Sequence, residues 1–173
     1  MAPKKRVIEV LGGPKTIAVH SPSFAPGARI PKRHTADGEG VSPPLSWMNV
    51  PRDAKGLALL VEDPDASTPQ PFVHWVAYNI PAGSEGLPEG IPLGDSAGRP
   101  AGMRQGSNGR DERGWAACHP DAGSGAHRYH FELFALDTLL DLPDGVTRGN
   151  LAKAMRGHLL ATGELVGTYS RDD

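Results

Sequence analysis

Apolar residues in this chain come in short runs cut by glycine and proline. Prolines recur from Pro22 to Pro92, at Pro26, Pro31, Pro43-Pro44, Pro51, Pro64, Pro69, Pro71, Pro81 and Pro88, so helices longer than two turns are excluded there. The runs between them read as strands over residues 16–20, 56–62 and 72–80. Leu57-Ala58-Leu59-Leu60-Val61 is apolar on both faces and predicts a central buried strand. Residues 127–136 alternate, with His127, Tyr129, Phe131 and Leu133 on one face and Arg128, His130, Glu132 and Phe134 on the other. A core face that begins with His and Tyr predicts a strand running out of a pocket into the core. One helical rhythm appears late: Thr147 as cap, then Leu151, Ala154, Met155, His158 and Leu159, with Gly163 as its stop and a last strand over 164–170. Residues 84–125 are glycine-rich and aperiodic, too long for an idle loop, and are expected to line a site.

A length of 173 residues predicts one domain, and a single cysteine, Cys118, excludes an intramolecular disulfide. Charge divides the chain. The first 33 residues carry Lys4, Lys5, Arg6, Lys15, Arg29, Lys32 and Arg33 against Glu9 alone, a balance of +6, which leaves −8 for the rest of a chain of net −2. Residues 1–15 are therefore read as a basic arm before a single domain over 16–173. No aromatics interleave these charges, so a solvated surface is favoured over a nucleic-acid platform. The stretch after Lys4-Lys5-Arg6 is too short and too charged for a signal peptide, and no run reaches the roughly 18 apolar residues of a membrane span. A soluble, cytoplasmic protein without stable membrane insertion is expected.

Three polar clusters could carry chemistry: Asp63-Pro64-Asp65-Ala66 after the buried strand, His74-Trp75 inside an apolar strand, and the 114–121 loop leading to His127-Arg128-Tyr129. Carboxylates and imidazoles beside apolar strands can hold small polar ligands, because low dielectric strengthens each hydrogen bond. Taken singly, each has an ordinary structural reading: Asp-Pro-Asp as a turn, His74 as a satisfied core histidine. The serine-nucleophile elbow, the phosphate-binding glycine loop and the zinc-protease helix signature are all missing. A thiolate–imidazolium pair of Cys118 with His119 or His127 rests on adjacency alone.

In order along the chain, Ser42-Pro43-Pro44-Leu45-Ser46-Trp47, Asp63-Pro64-Asp65-Ala66, His74-Trp75-Val76, Asn108-Gly109, the 114–120 loop, His127-Arg128-Tyr129 and Gly163-Glu164-Leu165-Val166-Gly167-Thr168-Tyr169 resemble the phosphatidylethanolamine-binding (Raf kinase inhibitor-like) family, in its bacterial and archaeal branch. The likeness runs from about Phe24 to Tyr169. It implies a mainly β fold: a large central antiparallel sheet, a smaller sheet packed on it, and a few peripheral helices. It implies a ligand site of Asp63, Asp65, Ala66, His74, Ala117, His119, Pro120, His127 and Tyr129. No cofactor is expected. The implied ligand is a phosphate-bearing or other anionic small molecule, and the resemblance leaves room for an inhibited protein partner and for a homodimer. Three residues depart from the family pattern: Ser67 after the Asp-Pro-Asp-Ala motif, and His119 and Asp121 in the loop. The Asp121 carboxylate would repel an anion.

Two functions follow. The first is a binding or regulatory module in which an anion docks against charged histidines and loop amides, weakening as pH rises. The second is a hydrolase using the Asp/His set for acid–base work or for a metal. His119 and Asp121 are suitable ligand types for a weak zinc site at the cleft mouth, against the ordinary reading that both face solvent.

Overall fold

Alternation within the most apolar run sets the architecture. Leu57, Leu59 and Val61 enter one hydrophobic core, while Ala58 and Leu60 enter a second on the other side of the same strand. The structure, a computed structural model, describes residues 4–94 and 100–171. In chain order its elements are α1 (Val7–Leu11), β1 (Ala18–His20), a 3-10 turn (Lys32–His34), β2 (Leu45–Met48), β3 (Gly56–Asp63), β4 (Phe72–Pro81), β5 (Gly86–Leu87), β6 (Arg104–Gln105), β7 (His127–Leu136), α2 (Arg148–Met155) and β8 (Leu159–Tyr169). A five-stranded antiparallel sheet has the order β6-β4-β3-β7-β8, and a three-stranded antiparallel sheet has the order β1-β2-β5. This is the mainly β architecture expected from the sequence.

The first core lies between the two sheets, where Val19, Leu45 and Trp47 of the small sheet meet Leu59, Phe131 and Leu133 of the large one. The second lies under the helices, where Val7, Ile8, Leu151 and Met155 cover Leu60, Val76 and Phe134. Both faces of β7 are therefore buried, beyond the one-sided strand its alternation suggests: His130 and Glu132 are covered along with Phe134, and only Arg128 is exposed.

Two expectations are corrected. Thr147 does cap α2, accepting from the Asn150 amide, but the helix ends at Met155 and the chain turns at Gly157, φ +80°. His158 lies in that turn, and Leu159 and Gly163 lie in β8. The glycine at 163 answers a different need, because a Cβ there would meet the Ile17 carbonyl oxygen at 2.3 Å. The second concerns the basic arm. Val7 and Ile8 are buried, their amides donate to Glu62 and Glu132, and with Leu11 they pack into the second core, so residues 7–11 are part of the folded body. Its charges hid an apolar turn that needs carboxylate acceptors elsewhere in the chain. No helix among the described residues is long and apolar enough to cross a membrane.

Candidate functional site

A β-bulge aims the central histidine. Val61 pairs with Trp75 and Glu62 with Val73, so His74 is the extra residue of β4. It and Trp75 consequently turn to the same side, where both rings meet Trp115 at centroid distances of 5.9 and 5.8 Å. On the neighbouring strands Asp63 ends β3, and His127 and Tyr129 open β7. These four residues line one cleft of about 300 Å³, with Ala66, Phe72, Arg110, His119 and Pro120 among its other walls.

His74 is 3 % exposed, and its Nδ1 lies 2.7 Å from the Ala116 carbonyl, which can only accept. The proton therefore sits on Nδ1 and Nε2 keeps its lone pair. Burial pushes the imidazole pKa down to about 4, with the Ala116 bond opposing. His74 is thus neutral at physiological pH, which corrects the expectation that both histidines act there as cations. His127 Nδ1 contacts Asp63 Oδ2 at 2.7 Å, and its Nε2 contacts the Ser124 hydroxyl at 3.0 Å. Asp63 also accepts from the Asp65 amide, 2.8 Å. Burial raises the Asp63 pKa, and the bond to His127 works against that rise.

Tyr129 packs edge-on to His74, at 5.1 Å between centroids, and is completely buried. Its hydroxyl has no oxygen or nitrogen partner; its polar neighbour is the Cys118 thiol, weak as donor and acceptor. Burial raises the Tyr129 hydroxyl pKa, and burial raises that of Cys118 too, so Cys118 is a protonated packing residue with no nucleophilic character.

Asp65 and Ala117 are placed differently from the other expected site residues. Asp65 takes both oxygens to Arg128, at 2.9 and 2.8 Å from Nε and Nη2, and fastens the 63–68 loop to β7; the guanidinium bonds hold its pKa down. Ala117 faces a neighbouring groove with Val41 and Ile91, and its carbonyl accepts from Arg110. His119 Nε2 contacts Arg171 Nη1 at 2.9 Å, so it is an acceptor already engaged. Among the described residues no three histidine, cysteine or acidic side chains are arranged to hold a metal ion, which gives no support to the weak zinc site weighed against solvent exposure for His119 and Asp121.

The sequence reading missed Arg110 and Phe72. Arg110 follows Asn108-Gly109, a turn signature inside the glycine-rich stretch expected to line a site, and that signature was the available clue. Residues 95–99 of that stretch lie outside the described residues.

Two packed antiparallel sheets with a small polar cleft at the strand ends define a β-rich protein with a ligand-sized site. The phosphatidylethanolamine-binding protein family model matches residues 20–170, and the chain belongs to that family. The UPF0098 protein of Methanothermobacter thermautotrophicus is 47 % identical over 150 residues, covering 86 % of this chain and 95 % of that protein. The UPF0098 protein of Chlamydia trachomatis serovar D is 41 % identical over 157 residues, 88 % of this chain and 97 % of the relative. Among solved structures, the phosphatidylethanolamine-binding protein homologue CT736 of Chlamydia trachomatis superimposes with a TM-score of 0.81 at 38 % identity, covering 91 % of this chain and 99 % of that one. YbcL of E. coli, described as a member of the mammalian family, gives 0.84 at 29 % identity, covering 89 % and 98 %.

Proposed function

We propose that this chain is a small-ligand binding protein whose cleft receives a phosphate-bearing or other anionic group, and that it acts by binding rather than by turnover. The observation that carries this reading is the Tyr129 hydroxyl, buried in the cleft without an oxygen or nitrogen partner. An unsatisfied buried donor is costly, and a ligand oxygen would relieve it. The surroundings are compatible with that role. His74 Nε2 accepts, while Tyr129 and Arg110 can donate, so the cleft can match an oxyacid in a partly protonated state. Burial raises the Cys118 pKa, which argues against a thiolate nucleophile; a hydrolase built on the Asp/His set is left to the phosphate-release assay.

The test is titration calorimetry with a phosphomonoester such as glycerol 3-phosphate, alongside a phosphate-release assay on the same compound. Binding without turnover is expected, and Tyr129→Phe should weaken it about tenfold, the typical cost of one hydrogen bond to a charged group. Phosphate release at a rate that tracks protein concentration would replace this reading with the hydrolase.

A further inference from the structure

Although the cleft holds three imidazoles, none supplies surplus positive charge. His74 is neutral. His127 is committed to Asp63, and any charge on it answers that carboxylate. His119 uses its Nε2 lone pair to accept from Arg171. Against them stands the Asp121 carboxylate on the same wall. An anion could not be selected by these groups alone.

Arg110 is the one guanidinium lining the cleft among the described residues. Its Nη2 donates to the Ala117 carbonyl at 2.9 Å, and its Nε and Nη1 make no bond to the described residues. The head is exposed, yet its charge is felt at both His74 and Cys118, where it lowers the pKa. The loop that carries it is fixed. Asn108, 4 % exposed, accepts the amides of Arg110 and Glu112 at 2.8 and 3.2 Å and donates to Gly114 at 2.9 Å. Gly109 sits on the Phe72 ring so closely that a Cβ would lie 2.6 Å from it, and its amide donates to Val73 at 2.8 Å. Asp111 takes a left-handed conformation, φ +59°, that completes the turn. Backbone and core hold the loop, so the guanidinium can move toward a ligand without unfolding anything.

We infer that Arg110 is the residue that gives the cleft its preference for an anion: it stands over the cleft with two N–H directions unbound and grips a phosphoryl or carboxyl oxygen whose far side meets Tyr129 and His74. The inference rests on the proposed binding function. It assigns the charge recognition to a residue of the 108–114 turn, where imidazoles alone would leave none.

The experiment uses the full chain and two sources of the same phosphomonoester chemistry. Glycerol 3-phosphate is titrated by calorimetry, and phosphatidylcholine vesicles with and without phosphatidic acid are used for co-sedimentation. Wild type is compared with Arg110→Gln and Arg110→Lys, with thermal melts to show that each variant is folded. In whichever arm binds, Arg110→Gln should weaken affinity about ten- to a hundredfold, Arg110→Lys should recover most of it, and added salt should weaken wild type far more than the glutamine variant. Binding in only one arm identifies the source of the phosphate group. Equal affinity in wild type and Arg110→Gln would overturn the assignment of Arg110 while leaving the binding function in place. If wild type binds in neither arm, the binding function falls and the inference with it.

Discussion

His74 sits near the start of β4, where the buried middle of that strand begins, and the bulge that aims it also removes it from water. Its folded pKa lies near 4 against 6.5 for a free side chain. Between those values the unfolded chain binds a proton that the folded chain does not, so stability rises with pH across that window and is lost as pH falls through it. The shift corresponds to roughly 3 kcal/mol. Denaturant melts from pH 4 to pH 7 should therefore show wild type losing more stability on acidification than His74→Asn, which has no group to titrate. Parallel curves for the two proteins would contradict the buried neutral imidazole. At this scale the residue types were legible in the sequence: Asp63, His74, His127 and Tyr129 do line one cleft. The protonation of His74 was not, because it depends on the bulge and on a carbonyl 42 residues away in sequence. The part played by Arg110 was hidden for the same reason, since a charged residue on an exposed turn looks the same in sequence whether it faces solvent or a cleft.

Elements were legible where local pattern and tertiary demand agreed. The buried strand β3 and the Thr147 cap are both where the sequence puts them, because each rests on near neighbours. They parted at glycine. Gly163 reads as a helix stop, yet it is a strand residue against which the Ile17 backbone packs. The contrast gives two substitutions of opposite sign. Gly149 lies in the first turn of α2, and a Cβ added there would find nothing within 4 Å, so Gly149→Ala should stabilise by about 0.5–1 kcal/mol through helix propensity. In Gly163→Ala the added methyl meets a carbonyl oxygen at 2.3 Å, so β8 or the Ile17 segment must move. That variant should lose about 1–3 kcal/mol, the usual cost of overpacking. Chemical denaturation of the two alanine variants reads both effects, and a Gly163→Ala variant as stable as wild type would mean that Ile17 crosses β8 with room to spare.

At the scale of the whole molecule, the N-terminal segment closes the second core over a pair of buried acids. Val7 and Ile8 are 2 % and 0 % exposed, and their amides donate to Glu62 and Glu132, each at 2.9 Å. Arg148 also donates to Glu62, and Arg6 pairs with Glu164. Glu132 lies against Glu62, and burial first, then the neighbouring charge, raises its pKa well above the ordinary 4.5. A raised folded pKa contributes stability that is fully present below the unfolded value and is lost as pH rises through the folded one. The proton that burial keeps on Glu132 is thus a latch that rising pH should loosen. Glu132→Gln supplies an N–H toward Glu62 with no proton to lose, and keeps an oxygen for the Ile8 amide. It should match or exceed wild type at neutral pH and lose less stability as pH rises above the ordinary carboxylate range. Removal of residues 1–11 should cost about 3–5 kcal/mol from the Val7 and Ile8 side chains alone, before the two carboxyl groups lose their amide donors. Urea melts of wild type, Glu132→Gln and the truncated chain at pH 5, 7 and 9 separate these contributions. The truncated chain should unfold at the lowest urea concentration at every pH, and wild type should lose more stability with rising pH than Glu132→Gln. A wild-type curve as flat as that of Glu132→Gln would mean that Glu132 holds no proton in the folded chain and that the segment is held by its apolar contacts, amide hydrogen bonds and ion pairs alone.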